Sequence, residues 1–578
     1  MSAVLKAQEP NSRYLAAMRP GLVEHFDLVA SAPGGVARLR ELILTQAVRG
    51  KLVPQDPGDE PASELVARAK AQKNRRIAES SIRRNRVLAE ADKARMPFDL
   101  PLGWEWIRLA DVVRILNGRA YSKEELLQRG STPVLRVGNL FTSNHWYYSN
   151  LQLDADKYCH QGDLLYAWSA SFGPFIWNGP KSIFHYHVWK LDPIDPERFN
   201  SRYLHTFLQE KTVEIKASGH GVSMIHMTKE KMEQVAVPYP PLAEQARIVA
   251  RVEELMRLCD ALDAKGRLED AQHAQLLNAL LGTLTDSASP EELAANWQRV
   301  AAQFDVLLDR PGAIDALDRT VLDLAVRGSL VSQHASDEPA AALLRRMQTE
   351  RLHLVSAGKR TREAPATAVA PVDGPFNLPQ GWEWARFDQL IDPTKPISYG
   401  VLVPGPEVAD GVPFVRIADL SLTSPAAKPE KKISPAVDAQ YQRTRLVGGE
   451  ILMGVVGSIG KLGVAPQSWA GANIARAICR IVPAPSIDRK FMLLLLESEF
   501  MQRNFAGDTR TLAQPTLNVG LIRAAPTPVP PLAEQHLIVA RVNELRRLCA
   551  DLREKLASSQ ATQVRLADAL VESAGSAD

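Results

Sequence analysis

The sequence predicts an α+β fold: two mixed, strand-rich domains joined by two long helices that form an intramolecular antiparallel coiled coil, with a pseudo-twofold internal repeat. Three observations carry that expectation. The string PPLAEQ stands at Pro240 to Gln245 and again at Pro530 to Gln535, each time opening a run with apolar residues at alternating four and three spacing. The first seam is Ile248, Val252, Leu255, Cys259 and Leu262; the second is Ile538, Val542, Leu545, Cys549 and Leu552. This is the 3.5-residue repeat of a coiled coil. The prolines ahead of Leu242 and Leu532 stop either helix from continuing upstream. Second, AVRGKLV at Ala47 returns as AVRGSLV at Ala325, DEPAS at Asp59 as DEPAA at Asp337, and PFDLPLGWEW at Pro97 as PFNLPQGWEW at Pro375, all at an offset of 278 residues. Third, short apolar runs broken by turn residues fill the stretches between, such as VLRVGNL, DLLYAWSASFGPFIW and SIFHYHVWKL, and these read as strands.

At 578 residues the chain exceeds one compact core. No apolar run approaches the roughly 20 residues that cross a bilayer, and the N-terminus lacks the basic start and apolar core of a signal peptide. The four cysteines form no C-x-x-C pair, which points to a reducing cytoplasm and away from a zinc framework. Cys259 and Cys549 hold equivalent seam positions as small buried thiols. Net charge is only +3, so attraction to nucleic acid must rest on local clusters.

In chain order, residues 1–36 are expected as a loosely held arm and 37–96 as a helical segment stopped at Gly50, a good C′ residue. Within it a basic helical stretch carries Lys70, Lys73, Arg75, Arg76, Arg83, Arg84 and Arg86, as a solvated face or a phosphate contact. Residues 97–240 form the first strand-rich domain, interrupted by a helix near Ser201 to Ala217. Residues 241–374 form a central helical region and linker. Its first helix runs from Leu242 to about Leu281, weakened at Gly266. A second helix starts at Ser289 with proline at its first position and glutamate at the third. Residues 375–530 are the second strand-rich domain and 531–578 the closing helix. The two domains match only at framework points: PVLRVGNL at Pro133 with PFVRIADL at Pro413, and GDLLYAWSASFG at Gly162 with GEILMGVVGSIG at Gly449.

Catalytic motifs do not accumulate. The nearest approach to a phosphate-cradling loop, Gly457 to Leu462, lacks the first glycine and the hydroxyl that follows the lysine, and Gly460 fits a turn beside a strand. PYPPLAEQ shares two prolines with amino-methyltransferase motifs but has no Asn or Asp ahead of them. His185 and His187 alternate on a half-buried strand, which explains their spacing without a metal. A binder remains. In the first domain the polar, aromatic and basic residues of strand ends and loops are Arg119, Tyr121, Arg136, Asn139, the run Trp146 to Tyr148, Ser169, Ser171, His220 and Ser223. In the second they are Tyr399, Arg416, Asp419, Ser458, Lys461, Asn473, Arg476, Gln514, Thr516 and Asn518. Arg and Lys can bridge guanine O6 and N7, Asn and Gln can pair with adenine, and hydroxyls suit phosphates. The matched Arg136 and Arg416 serve equally well as framework residues.

The duplicated PPLAEQ helices, the AVRGxLV segments and the two divergent domains together resemble the specificity subunit of Type I restriction-modification systems, over nearly the whole chain from Ala37. Three strings carry the likeness as a set: GHGVSMIHMTKEKMEQVAVPYPPLAEQ from Gly219, KPISYGVLVPGP from Lys395, and QPTLNVGLIRAAPTPVPPLAEQ from Gln514. The resemblance implies two target recognition domains, each reading half of a bipartite, asymmetric site on double-stranded DNA. It implies that the paired helices separate them and dock two modification subunits, with restriction subunits completing the assembly. No cofactor is then expected on this chain: S-adenosylmethionine belongs to the modification subunit, ATP and magnesium to the restriction subunit. Two departures stand out. Asp286 to Ala316 has no obvious counterpart near the N-terminus, and AYS at Ala120 is the nearest match in the first domain to SYG at Ser398 to Gly400. A coiled-coil adaptor with protein-binding domains, or a self-sufficient DNA-modifying enzyme, are the rival readings. Absence of site-specific methylation in cells carrying the chain favours the adaptor, and methyl transfer or cleavage by the purified chain favours the enzyme.

Overall fold

The computed structural model describes residues 26–78, 96–169, 171–217, 228–357, 374–506 and 516–576. It forms two compact units, Met1–Glu269 with Ser559–Asp578, and Asp270–Ser558. The first long helix is unbroken over Leu242–Thr285 and the second over Leu532–Ser576. The unit border falls inside both, so each unit holds the start of one long helix and the end of the other. The region 241–374 expected as one central block is therefore shared between units. Gly266 does not break its helix: a helical glycine costs about 1 kcal/mol against alanine, too little to interrupt 44 residues.

In the first unit a short helix, Gly35–Val48, ends at Gly50 with φ 68°. A Cβ there would stand 2.5 Å from Pro101 and 2.8 Å from Trp104, so both the left-handed backbone and the close approach demand glycine. The Trp104 indole donates to Glu244 Oε2 at 3.0 Å. Gln55 Nε2 bridges Gly50 O at 2.6 Å and Glu244 Oε1 at 3.2 Å. Glu244 is 1% exposed, and burial raises its carboxyl above the ordinary range against those two donors. It stands in the first turn of the long helix, where free backbone N–H groups favour negative charge. Gln245 Nε2 donates to Pro240 O at 2.9 Å. The strand Glu105–Arg108 pairs antiparallel with Ala236–Tyr239, so the chain enters and leaves the strand-rich domain through one ribbon.

The second unit repeats the glycine, glutamine and ribbon contacts. Gly328 has φ 73° and packs on Pro379 and Trp382. Gln333 bridges Gly328 O at 2.7 Å and Glu534 at 3.1 Å. Gln535 donates to Pro530 O at 3.1 Å, and Glu383–Arg386 pairs with Pro526–Val529.

The seams are buried, but not as a simple face-to-face pair. Ile248, Val252, Leu255 and Cys259 share a core with Leu39, Leu42 and Ile43 of the short helix and with Ala567 from the end of the second long helix, Leu262 being half-buried. Ile538, Val542 and Cys549 share theirs with Ile314, Leu317 and Val321 of the helix Pro311–Arg327 and with Leu277, Leu281 and Leu284; Leu545 and Leu552 are half-buried. A four-and-three stripe fits a core of several helices as well as a two-helix seam. The flanking charges are inverted between the units. In the first, Arg40 on the short helix reaches Asp260 at 2.7 Å and Asp263 at 2.9 Å on the long one. In the second, the short helix carries the acids: Asp318 meets Arg546 at 3.1 Å and Asp315 meets Arg553 at 2.7 Å.

Each strand-rich domain contains two small sheets. In the first, Val113–Asn117, Val188–Pro193, Leu164–Ser169 and Ser171–Ile176 form an antiparallel sheet in that order, as expected for runs alternating with turns. The other sheet contains a parallel pair, Thr132–Leu135 with Ser182–Phe184. The second domain matches it, with Ser398–Tyr399, Ile478–Ile481, Ile451–Gly454 and Leu462–Val464 in order, and Val412–Val415 parallel to Asn473–Ile474. A helix packs behind each domain, Ser201–Ala217 in the first and Arg489–Glu497 with Glu499–Ala506 in the second.

Arg40→Glu places a carboxylate against Asp260 and Asp263, and is expected to cost on the order of 1 kcal/mol of unfolding free energy. Asp263→Arg in the same chain should recover part of that loss. A denaturant-unfolding double-mutant cycle checks it, and additive losses would remove the pairing.

Candidate functional site

The two domains share one backbone device at the end of the antiparallel sheet. A chain segment leaving its first strand passes beneath a tight turn. In the first domain Gly118 N donates to Val188 O, Arg119 N to Phe184 O and Tyr186 N to Arg119 O. His185 N donates to Leu135 O, Val188 N to His185 O and Trp168 N to His187 O. In the second, Gly400, Val401, Arg476, Ala475, Ile478 and Val455 make the same six bonds in the same roles. A Cβ on Gly118 would stand 2.3 Å from His185 O, and one on Gly400 1.8 Å from Ile474 O, so the crossing admits only glycine. The equivalent of SYG at Ser398 is therefore Leu116-Asn117-Gly118, not AYS at Ala120, a correction to the sequence expectation.

On that shared backbone the side chains differ. In the first domain the turn is His185-Tyr186-His187. Ring centroids lie 4.4 Å apart for His185 and Tyr186 and 3.9 Å for Tyr186 and His187, and Trp168 stands 5.3 Å from His187. The Trp168 indole donates to Tyr186 O at 2.9 Å and clamps the turn from beneath. Burial, with the like charge of Arg136, holds His185 down at about 4 and His187 below its ordinary value, so both imidazoles are neutral near pH 7. In the second domain the same turn is Ala475-Arg476-Ala477, with Arg476 exposed and, among the described residues, outside any ion pair.

The expected binding residues divide. Arg136 is exposed, its guanidinium 5.4 Å from the Tyr147 ring centre. Arg119 pairs with Glu125 at 2.7 Å and lies over Tyr121, whose hydroxyl is half-buried and raised by burial. Ser169 and Ser171 face each other across a hairpin. Ser458, Lys461, Thr516 and Asn518 are exposed. Lys461 Nζ donates to Ile417 O at 2.9 Å, Thr516 bridges to Val456, and Asn518 caps the helix Val519–Ala524. Thr516 thereby stands beside Val455, whose N donates to Ala477 O of the second turn. The segment Gly457 to Leu462 is a strand-turn-strand connection with Gly457 and Gly460 at positive φ, the turn that the sequence indicated.

Other residues are spent on their own fold. Asn139 accepts from Arg136 N at 3.1 Å and donates to His145 O at 2.8 Å, fixing the loop after the strand. Asp419 accepts from Arg416 N at 2.7 Å and from its guanidinium at 3.2 Å, which makes both residues framework. The Tyr399 hydroxyl accepts from Val519 N at 2.7 Å and donates to Leu517 O at 3.0 Å. Asn473 is the plain correction. It is 0% exposed and bonds Thr444, Asp438 and Tyr441 O, so no ligand reaches it. His220, Ser223 and Gln514 lie outside the described residues, as do Arg83, Arg84 and Arg86 of the basic stretch. Of the remaining basic side chains, Lys73 is tied to Ala110 O at 2.8 Å.

Sequence reasoning passed over Tyr186 and Trp168 and placed His185 and His187 on a half-buried strand; they stand instead at the turn between the strands Ser182–Phe184 and Val188–Pro193. Among the described residues no group of three or more His, Cys, Asp or Glu could hold a metal, and no described helix is long and apolar enough to cross a membrane. The available signal was FHYHV itself, aromatic and polar groups breaking an apolar run at a turn.

Comparison with known proteins gives one consistent result. The model of the Type I restriction modification DNA specificity domain matches residues 101–271 and 407–559. The chain is 32% identical over 566 residues to the Type I restriction enzyme EcoEI specificity subunit of Escherichia coli, covering 93% of this chain and 94% of that one. It is 30% identical over 562 residues to the EcoAI specificity subunit of the same organism, with the same coverage. The solved HsdS subunit of Thermoanaerobacter tengcongensis aligns over 83% of this chain and 98% of its own, at 18% identity and a TM-score of 0.34.

Removing the buried amide tests its reassignment. Asn473→Ala removes buried bonds to Asp438, Thr444 and Tyr441 O and is expected to cost about 2–4 kcal/mol. Denaturant unfolding reads it, and an unchanged stability would return Asn473 to the surface candidates.

Proposed function

The chain belongs to the family of Type I restriction-modification DNA specificity subunits, and we propose that it reads a bipartite, asymmetric site on double-stranded DNA, one half through residues 97–240 and the other through 375–530. Specificity subunits are the non-catalytic component of these systems. Sequence is chosen here and the chemistry is carried by the modification and restriction subunits with which the family assembles. One observation supports the bipartite reading above the others. Two domains keep the same six backbone hydrogen bonds while presenting different side chains on them. A duplicated scaffold with unlike surfaces suits an asymmetric target better than a palindrome, which two like surfaces would read.

The division of labour follows from the chemistry. Contacts to phosphates position a protein on the duplex without choosing a sequence, and contacts to base edges choose it. Exposed Lys461, Ser458 and Thr516 suit phosphate oxygens; the side chains of the turns suit base edges. The long helices act as a ruler in antiparallel coiled-coil arrangement and as the dock for two modification subunits. Their division between the units supports that role, since each helix begins in one unit and ends in the other.

Exchanging Pro97 to Pro240 for the same part of a relative should change one half of the methylated motif and leave the other. Methylome sequencing of cells carrying the complex measures this, and a change in both halves would refute the modular reading. Lengthening both helices by one heptad, after Glu269 and after Ser558, adds about 10 Å at 1.5 Å per residue. The non-specific spacer should then grow by about three base pairs at 3.4 Å each, with both half-sites kept; an unchanged spacer removes the ruler.

A further inference from the structure

We propose that the turn His185-Tyr186-His187 and its counterpart Ala475-Arg476-Ala477 set the base preference of the two half-sites, the first through ring edges supported by Trp168, the second through the Arg476 guanidinium. This assignment rests on the DNA-reading role proposed above and names the residues that carry it.

Three observations converge on these turns. The first is their fixed backbone: six matched hydrogen bonds and a glycine crossing hold both tips in one geometry, so side chains alone differ. A reader must be rigid to discriminate, because ordering a loose loop on binding consumes the difference between right and wrong bases. The second is exposure. Tyr186 is 40% exposed although it is a large ring at the end of a packed sheet, and Arg476 is exposed between two alanines. The third is elimination among the described candidates. Asn139, Tyr399, Asp419 and Asn473 spend their polar groups inside their own domains, and Arg416 is folded onto Asp419.

The chemistry of the two tips is unlike. His185 faces Arg136 and Tyr121, with the Arg119–Glu125 pair beside Tyr121. It stays neutral there, so the first tip offers imidazole nitrogens, a phenol hydroxyl and ring faces without net charge. Such groups lack the charge-driven attraction to phosphates and can meet base edges and the thymine methyl. Arg476 offers a planar fork whose geometry matches O6 and N7 of guanine. The positive charge that flanks the tip also moves. In the first domain it is Arg136, against Tyr147; in the second the arginine at that position is neutralised by Asp419, and the charge sits on the tip itself.

The test uses the full chain assembled with its modification subunits in cells that hold no other such system. Variants are Tyr186→Ala with His187→Ala, and separately Arg476→Ala. Methylome sequencing is expected to show the first variant relaxing only the half-site of the first domain and R476A relaxing only the other, at a guanine, with discrimination there falling about 10- to 100-fold. A graft, H185A/Y186R/H187A, keeps the backbone and does not depend on loss of folding; it should shift the first half-site toward guanine. Both half-sites unchanged in all three variants overturns the assignment. So does R476A weakening all sequences equally while the slope of log affinity against log salt falls by about one, the mark of a phosphate contact. If exchange of Pro97 to Pro240 moves a half-site while these variants do not, the two-domain reading stands and the tips fall. If that exchange moves nothing, the reading itself falls.

Discussion

Much of this architecture depends on a buried carboxylate. Glu244 and Glu534 sit at the start of the long helices with almost no contact with water, where a charge is tolerated only if donors surround it. The donors come from distant parts of the chain: Gln55, which also holds the carbonyl of Gly50, and Trp104, which precedes the strand that opens the first domain. One side chain thus ties together the end of a short helix, the mouth of a strand-rich domain and the first turn of a long helix. Gln333 repeats the arrangement at Glu534. The strings shared between the halves are the parts of this knot: the glycine, the glutamine, the tryptophan and PPLAEQ. Because the knot holds only the root of each domain, the far end is free to diverge.

That separation explains what the sequence disclosed. The glycine, glutamine and tryptophan of the knot recur at an offset of 278 residues and PPLAEQ at 290, each inside an intact string, so the repeat and the long helices were legible; the helix starting at Ser289 was legible from its own cap. Inside the domains the offset drifts. Gly118 corresponds to Gly400, Arg136 to Arg416, Gly162 to Gly449 and His185 to Ala475, each pair at a different spacing because loops between the strands differ in length. A search at one offset could not find Gly118, and the tip was missed with it. Partner and burial were equally hidden. Asn473 and Asn518 are the same residue type, yet one is sealed inside a network and the other caps an exposed helix. The framework role of Asn139 and Asp419 had left a trace: both stand three residues after an arginine that ends a strand, the spacing of an N-terminal cap.

The seam carried a half-truth. Its spacing correctly marked which faces are buried, but hydrophobic periodicity names a face and not its partner. The short helices, with apolar stripes of their own, supply much of the cover.

The reversed charges beside those seams bear on how the chain avoids closing wrongly on itself. A molecule made of two similar halves has a ready misassembly, in which each short helix settles on the other half's long helix, within one chain or between neighbours. Apolar stripes alone would allow it, since they match. The ions do not: Arg40 would meet Arg546 and Arg553, while Asp315 and Asp318 would meet Asp260 and Asp263. Both wrong closures set like against like, and both right ones set opposites together, so the contrary polarity of the two halves favours the correct pairing.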